Sequence, residues 1–204
     1  MSGLPHGPLP RAVVHICVDM QRLFREGCSW AGPAPDKALP GALRLTRAMP
    51  ERTVFTRFTT PPTLAAAPRS WRRYYERWRD VVLDQLDPKL LDIVPELDCL
   101  AAPERTINKT AYTAFEGIAM DAMLGHLGTE AIVLSGVETD MCVLATLMGA
   151  VDRGYRCVIA EDAVASSVEE AHEAALKMLK LRLAEQVEIA RVDDVLAALP
   201  SGLG

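Results

Sequence analysis

Short apolar runs of strand length alternate with helix-length runs along this chain, and that alternation constrains the fold more than any other feature. Strands separated by helices pair in parallel, because each helix carries the chain back across the sheet in a right-handed crossover. The sequence therefore predicts an α/β fold with a doubly wound (Rossmann-like), six-stranded parallel sheet flanked by helices. The predicted strands cover residues 11–18, 53–58, 105–108, 131–134, 156–160 and 187–190. The predicted helices cover residues 37–49, 70–86, 117–127, 142–151, 167–182 and 192–199.

The chain length is typical of a single domain. Its 204 residues are enough for one α/β unit with a full core. We predict that residues 11–200 form this domain. Residues 1–10 are rich in Pro and Gly and lack the charged start and apolar run of a signal peptide, so we expect a flexible N-terminal arm there.

Composition argues against several classes of partner and site. The 22 basic and 27 acidic residues give a net charge of −5, which argues against nucleic-acid binding through overall charge. The longest apolar runs are far too short to span a membrane. The five cysteines form no C-x-x-C pattern, so neither a zinc ribbon nor a disulfide framework is indicated. A reducing, cytoplasmic location is therefore expected.

Three residues whose side chains can take part in catalysis lie at the ends of predicted strands. Asp19 ends the first strand, Lys109 follows the third, and Cys142 lies between the fourth strand and the helix after it. In a doubly wound sheet, ligands bind beyond the carboxyl ends of the strands. A lone cysteine is more often a buried core residue, and an Asp or Lys at such a position is often a turn residue or a solvated side chain. Their joint placement favours a catalytic site.

The chemistry that this trio favours is attack of a thiol on a carbonyl carbon. Cys142 in the first turn of a helix faces unpaired N–H groups and the positive end of the helix dipole, which favours a thiolate. Asp19 can accept the thiol proton. Lys109 can lower the thiol pKa and help to keep Asp19 ionised. Backbone N–H groups at the helix start can bind the developing oxyanion.

Three motifs in the same order carry a resemblance to a known family. They are Val18-Asp19-Met20-Gln21-Arg22-Leu23-Phe24, then Asn108-Lys109-Thr110-Ala111-Tyr112-Thr113-Ala114-Phe115, then Ser135 to Cys142 followed by Leu144-Ala145-Thr146. The segments at 150–155 and 161–163 fit the same pattern. The chain resembles the cysteine hydrolase branch of the isochorismatase-like superfamily, which includes nicotinamidases, N-carbamoylsarcosine amidases and related small-amide hydrolases. The resemblance runs from about residue 14 to residue 195.

The resemblance implies a role for each matching residue. Asp19 matches the general acid/base, Lys109 the activating lysine and Cys142 the nucleophile. Val137 and Glu138 match a pair joined by a cis peptide bond, and the N–H groups of Glu138 and Cys142 match the oxyanion hole. The implied activity is hydrolysis, with water and without a cofactor, of the C–N bond of a small non-peptide amide, ureide or carbamoyl compound through a thioester. Such proteins usually assemble as homo-oligomers, as dimers or tetramers.

The sequence departs from one branch of this superfamily. Nicotinamidases carry an Asp-x-His and a second His that hold a metal, whereas residues 57–62 here read Arg-Phe-Thr-Thr-Pro-Pro, and no histidine lies between His15 and His126. We therefore expect no metal site. Isochorismatases proper cleave a vinyl ether without a cysteine nucleophile, so Cys142 favours amide chemistry. Two alternatives stay open: a vinyl-ether hydrolase, and a catalytically idle binding or scaffold protein of the same fold.

The segment 69–79 has the most unusual composition, with five Arg, two Trp and two Tyr in eleven residues. Arginine beside aromatic residues can bind nucleic acid, but an amphipathic helix with its aromatic stripe turned inward is favoured. We expect Trp71 and Tyr74 to shape the substrate pocket with Phe24 and Tyr112, while the arginines favour a substrate carboxylate. The segment is compatible with a lid, a subunit interface or neither.

Overall fold

A computed structural model describes residues 3–202 and has one six-stranded sheet in which every pair of neighbouring strands is parallel. The strands are β1 (Val13–Val18), β2 (Thr53–Phe58), β3 (Thr106–Lys109), β4 (Ala131–Val137), β5 (Arg156–Ala165) and β6 (Val187–Ala190). The α-helices of the described residues are α1 (Ala34–Ala48), α2 (Arg69–Arg77), α3 (Pro95–Asp98), α4 (Ala119–His126), α5 (Leu144–Asp152), α6 (Glu169–Arg182) and α7 (Val192–Ala198). The predicted α/β, doubly wound fold is confirmed.

The strand order is β3-β2-β1-β4-β5-β6, so the direction of winding reverses between β1 and β4. At this switch point Val18 pairs with Gly136. Gly136 has a φ of +113°, and a Cβ at this position would lie 2.0 Å from the carbonyl oxygen of Val18. Only glycine allows the ends of β1 and β4 to approach so closely, which brings the residues that follow the two strands together.

The fifth strand is longer than the sequence predicted. Its register with β4 shifts between Leu134 and Gly136, which marks an irregularity in the pairing. Two acidic residues beyond the predicted end of the strand have polar partners: Glu161 pairs with Lys180, and Asp162 Oδ1 accepts the backbone N–H of Val192. Polar partners on α6 and α7 thus allow the strand to continue past the predicted end.

The N-terminal segment packs against the domain, which corrects the expectation of a flexible arm over residues 1–10. Leu4 and Leu9 are buried in the cluster formed by the α1 and α7 side of the sheet. The Leu9 N–H donates to Ala198 O, and Arg156 donates to the carbonyls of Gly7 and Pro8. The two apolar side chains and these hydrogen bonds outweigh the Pro/Gly composition. Residues 1 and 2 lie outside the described part of the chain.

Helix α2 ends at Arg77, well before the predicted end at residue 86. The chain turns at Trp78 and continues as a short 3₁₀ turn, which allows Val81 and Val82 to pack with Tyr75 in a small separate cluster. The helical periodicity of the aromatic residues correctly predicted a helix in this segment, but tertiary packing determined where the helix ended.

Helix α1 packs directly on β5 through a glycine. A Cβ on Gly41 would lie 2.6 Å from the Cβ of Ala163. The small pair Gly41 and Ala163 therefore sets the spacing between this helix and the sheet. Within residues 3–202, no helix is long and apolar enough to cross a membrane.

Candidate active site

Three elements bring Asp19, Lys109 and Cys142 together at the carboxyl edge of the sheet. Asp19 directly follows β1, Lys109 is the last residue of β3, and Cys142 lies in a single π-helical turn, Thr139–Val143, between β4 and α5. Asp19 has a φ of +49°, a left-handed conformation that is rare outside glycine. Backbone strain of this kind clusters at functional sites.

Asp19 and Lys109 form a fully buried ion pair. Lys109 Nζ lies 2.7 Å from Asp19 Oδ2, and both side chains have no exposed surface. Thr56 Oγ1 donates to Asp19 Oδ1 at 2.5 Å. Lys109 Nζ also donates to the carbonyls of Ala111 and Tyr112, each at 3.0 Å. These partners fix both charged groups, because an ion that loses its partner in such a site is costly.

The pKa of the Lys109 ammonium shows how this pair is balanced. Burial by itself lowers the pKa of Lys109, but the nearby charge of Asp19 reverses the effect and raises the pKa above its ordinary value. The ammonium therefore stays charged although it is buried. The charge of the pair sums to zero.

The thiol of Cys142 differs from the prediction of a favoured thiolate. Burial raises the pKa of Cys142 well above its ordinary value, the charge of Asp19 raises it further, and the charge of Lys109 opposes both effects. The helix-end position, which favours a thiolate, is outweighed by removal of the sulfur from water and by the carboxylate beside it. In the resting site the thiol keeps its proton, next to a carboxylate that can accept it.

The peptide bond between Val137 and Glu138 is cis, as the resemblance implied. The Glu138 side chain is held by the loop before α6: both the N–H and the hydroxyl of Ser167 donate to Glu138 Oε2, at 2.6 and 2.7 Å. Ser167 therefore lies before α6 and not at the start of the helix predicted over residues 167–182, since the helix begins at Glu169 with no side-chain cap. Its donors instead fix the loop next to the cysteine.

A pocket of about 350 Å³ opens above Cys142. The four residues that the sequence assigned to the substrate pocket, Phe24, Trp71, Tyr74 and Tyr112, all line it. The rings of Trp71 and Tyr112 lie 5.0 Å apart, and those of Trp71 and Tyr74 lie 5.5 Å apart. These side chains come from three separate parts of the chain and meet in one wall.

Three further aromatic side chains that the sequence did not single out complete this wall: Trp30, Phe58 and Trp78. Trp30 stacks on Phe24 with the ring centroids 5.7 Å apart. Phe58 ends β2, so its place at the carboxyl edge was a signal that could have found it. Trp30 lies in the loop after β1, where the hydrogen bonds of Ser29 to Asp80 hold it. We call these seven side chains the aromatic wall.

Comparison with known proteins identifies the family. The isochorismatase domain model matches residues 13–191. The chain belongs to the isochorismatase family. It is 30% identical over 110 residues to nicotinamidase 3 of Arabidopsis thaliana, which covers 53% of this chain and 54% of that protein. The chain spans about half the length of the curated relatives that it matches, or slightly less.

Solved structures of other family members share the fold over nearly their whole length. A cysteine hydrolase from Pseudomonas syringae pv. phaseolicola has a TM-score of 0.79 at 18% identity, with 94% of each chain covered. N-carbamoylsarcosine amidase from Thermoplasma acidophilum has a TM-score of 0.69 at 21% identity, covering 89% of this chain and 96% of that one. The isochorismatase-like hydrolase fold is thus established at low sequence identity.

The described residues of this isochorismatase-family chain do not fit a metal. A structural relative, the pyrazinamidase of Pyrococcus horikoshii, was solved in complex with zinc; it has a TM-score of 0.66 at 24% identity, and the match covers 88% of this chain and 99% of that one. Within residues 3–202 of this chain, no group of three or more His, Cys, Asp or Glu side chains could hold a metal ion. The two carboxylates that line the pocket, Glu138 and Asp140, are each bound by a serine hydroxyl.

The arginines of segment 69–79 do not line the pocket, which contradicts their expected role in binding a substrate carboxylate. Arg72, Arg73 and Arg77 are exposed, whereas Tyr75 on the same helix is buried. Arg77 lies over the ring of Trp78, 5.0 Å from its centroid. The helix turns its aromatic face inward and its cationic face outward, as the amphipathic interpretation predicted.

Proposed function

We propose that this chain is a cysteine-dependent hydrolase that cleaves the C–N bond of a small non-peptide amide, ureide or carbamoyl compound through a thioester intermediate. The observation that carries the proposal is the buried Asp19–Lys109 pair beside Cys142. A carboxylate, a fixed ammonium and a thiol in contact have little use in a binding protein, whereas acyl transfer needs all three. The amidases among the relatives and structural neighbours favour the same reaction class.

In the acylation half, Cys142 Sγ attacks the carbonyl carbon of the substrate while its proton moves to the Asp19 carboxylate. The resulting oxyanion is stabilised by the backbone N–H groups of Glu138 and Cys142. When the tetrahedral intermediate collapses, the C–N bond breaks and Asp19 returns the proton to the leaving nitrogen. The products at this stage are a thioester on Cys142 and free ammonia or an amine.

In the second half, Asp19 accepts a proton from water, and the hydroxide that forms attacks the thioester carbon. The C–S bond breaks, the carboxylic acid leaves, and the Cys142 sulfur takes the proton back from Asp19. Lys109 remains protonated throughout and keeps the Asp19 carboxylate in place. Atoms and protons balance with water as the co-substrate alone.

The experiment that tests this function is ammonia release from a panel of small amides by the wild type and by Cys142→Ala. The panel contains nicotinamide, N-carbamoyl amino acids, biuret-like ureides and maleamate-like half-amides. We expect the variant to retain less than about a thousandth of the activity, because the nucleophile is gone. Ammonia release that survives in Cys142→Ala would rule out Cys142 as the nucleophile and with it the thioester route.

A companion measurement separates an idle protein from an enzyme whose substrate is missing from the panel. Electrospray mass spectrometry of the wild type after brief exposure to an activated ester shows whether an acyl group forms on Cys142. We expect one acyl group on the wild type and none on Cys142→Ala at that residue. A wild type that binds amides but never acylates would favour the binding or scaffold alternative.

The cellular location and the oligomeric state of the enzyme are part of the same proposal. All five cysteines are free, which is consistent with the expected cytoplasmic location. We propose a homo-oligomer as well, since Ile118 and Leu181 are large apolar side chains with 83% and 71% of their surface exposed. Light scattering coupled to size-exclusion chromatography measures the subunit number directly.

A further inference from the structure

We propose that the pocket selects amides whose remote end is a small alkylated ammonium group, and that it rejects amides that carry a carboxylate there. This inference rests on the proposed amide hydrolysis and names its substrate class. It is carried by two features of the pocket: the aromatic wall, and the sign of the charges around it.

The aromatic wall concentrates the aromatic residues of the chain in one place. The sequence has eleven Phe, Trp and Tyr residues, and all three tryptophans line this pocket. Phe58 already shows the interaction that we invoke, because Lys109 Nζ lies 4.7 Å from the centroid of its ring. Cations are attracted to the faces of aromatic rings, most strongly to tryptophan, and pockets of several such rings bind alkylated ammonium groups.

The charged groups around the pocket are acidic. Glu138 and Asp140 line it, whereas no Lys or Arg does. The Lys109 ammonium, which lies close to Cys142, is neutralised by Asp19. The Arg77 guanidinium lies over the Trp78 ring and is itself not a lining group. A positively charged ligand therefore meets attraction from both the rings and the carboxylates.

A substrate carboxylate would meet the opposite environment. Carboxylates in proteins are bound by Arg, by Lys or by clusters of N–H donors. The donors that the lining offers, such as the hydroxyls of Tyr74 and Tyr112, are neutral. Neutral donors do not compensate for the repulsion from two carboxylates or for the desolvation of an anion.

The test compares three amides of similar size that differ in charge. They are trimethylglycinamide, which carries a trimethylammonium group; 3,3-dimethylbutanamide, which replaces that nitrogen with carbon; and malonamate, which is an anion. The pocket volume of about 350 Å³ accommodates each of them. Both kcat/KM with the wild type and the dissociation constant with Cys142→Ala, measured by calorimetry, are compared.

We expect Cys142→Ala to bind the cation at least about tenfold tighter than its carbon analogue, with malonamate the weakest. The binding measurement excludes the greater chemical reactivity of the cationic amide as an explanation. We expect the same order in kcat/KM with the wild type.

Two variants test the source of the selectivity. Asp140→Asn keeps the oxygen that accepts from Ser166 Oγ at 2.6 Å and removes only the charge. We expect it to reduce the preference for the cation over its carbon analogue by about three- to tenfold. Glu173→Gln, an exposed position on α6 outside the pocket, is the matched control and leaves the preference unchanged.

The two proposals fail in different ways. If the carbon analogue or malonamate binds Cys142→Ala as tightly as the cation, the charge inference is wrong, whatever the enzyme hydrolyses. If the cation binds best but the wild type hydrolyses no amide and forms no acyl-enzyme, the hydrolase proposal is wrong and the selectivity of the pocket stands.

Discussion

At Cys142, the protein environment acts on the thiol in two opposite directions. Burial and the Asp19 carboxylate raise its pKa, and the Lys109 ammonium lowers it. A nucleophile that stays protonated until a base removes its proton depends on that base in a testable way. In the proposed mechanism, Asp19 both suppresses the resting thiolate and accepts the thiol proton during the attack.

Asp19→Asn should therefore separate thiol ionisation from catalysis. Removal of the carboxylate charge leaves Lys109 unopposed, so the pKa of Cys142 falls and its alkylation by iodoacetamide at a given pH becomes faster. The same variant should lose at least about a hundredfold in amide hydrolysis, because the proton acceptor is gone. Faster hydrolysis, or an unchanged thiol pKa, would contradict the assigned role.

That measurement needs a background in which only one thiol reacts. Cys28 is half-buried and Cys99 is exposed, so both are replaced by serine in every variant. Cys17 and Cys157 can remain, since burial raises the pKa of each to about 12. Exposed Asp98→Asn on α3 controls for the loss of one negative charge elsewhere.

The Trp71 ring packs against three other side chains of the aromatic wall. It contacts Tyr112, Tyr74 and Phe58 with centroid distances from 5.0 to 6.4 Å. Trp71→Ala should lower kcat/KM by about tenfold, mainly through KM, because the wall loses ring surface and its support. Arg73→Ala, on the outward face of the same helix, is the control. If Trp71→Ala has the same activity as the wild type toward every accepted substrate, Trp71 does not contribute to substrate binding.

Among the elements, α1 is held at its distance from the sheet by one glycine. Because a Cβ on Gly41 would lie 2.6 Å from Ala163 Cβ and 2.9 Å from backbone atoms of β5, the helix would have to move. Overpacking of this kind costs about 1–3 kcal/mol in the free energy of unfolding. Gly41→Ala should therefore destabilise the fold in urea titrations.

Gly125 in α4 provides the opposite case. Apart from the adjoining backbone of α4 itself, no atom lies within 4 Å of a Cβ built there. Gly125→Ala should raise the free energy of unfolding by up to about 1 kcal/mol, because alanine loses less backbone entropy in a helix. Equal effects of the two substitutions would show that the α1–β5 spacing is not limited by Gly41.

For the whole molecule, His15 links stability to pH. It is fully buried in the centre of the sheet, and burial lowers its pKa from 6.5 to about 3. Both ring nitrogens of neutral His15 have hydrogen-bond partners. Thr53 Oγ1 uses its proton to donate to Met49 O, so it accepts from His15 Nδ1–H. Ser135 Oγ–H donates to His15 Nε2. A proton on Nε2 would break this arrangement.

The sign of the effect follows from proton linkage. Between pH 6.5 and 3 the unfolded chain binds a proton at His15 that the folded chain does not, so stability falls as the pH falls. The free energy of unfolding should drop by about 2 kcal/mol from pH 7 to pH 5 on this account. His15→Asn should remove most of that slope. If the free energy of unfolding of His15→Asn depends on pH as steeply as that of the wild type, the dependence arises from other titratable groups.

The sequence by itself determined the α/β class, the six strands and the three strand ends that carry Asp19, Lys109 and Cys142. These features follow from local patterns: apolar periodicity, and the rule that the carboxyl ends of parallel strands share one edge. The resemblance added the cis peptide bond, and the amphipathic pattern of segment 69–79 predicted which face turns inward.

Only the tertiary structure decided the features that depend on distant partners. The N-terminal segment packs because Leu4 and Leu9 find a cluster elsewhere in the chain, and α2 ends early because Val81 and Val82 pack beside Tyr75. Ser167 binds Glu138 instead of capping α6. The thiol pKa of Cys142 rises because burial and Asp19 outweigh the end of a helix. Each outcome depends on distances between residues far apart in sequence, which a local pattern does not contain.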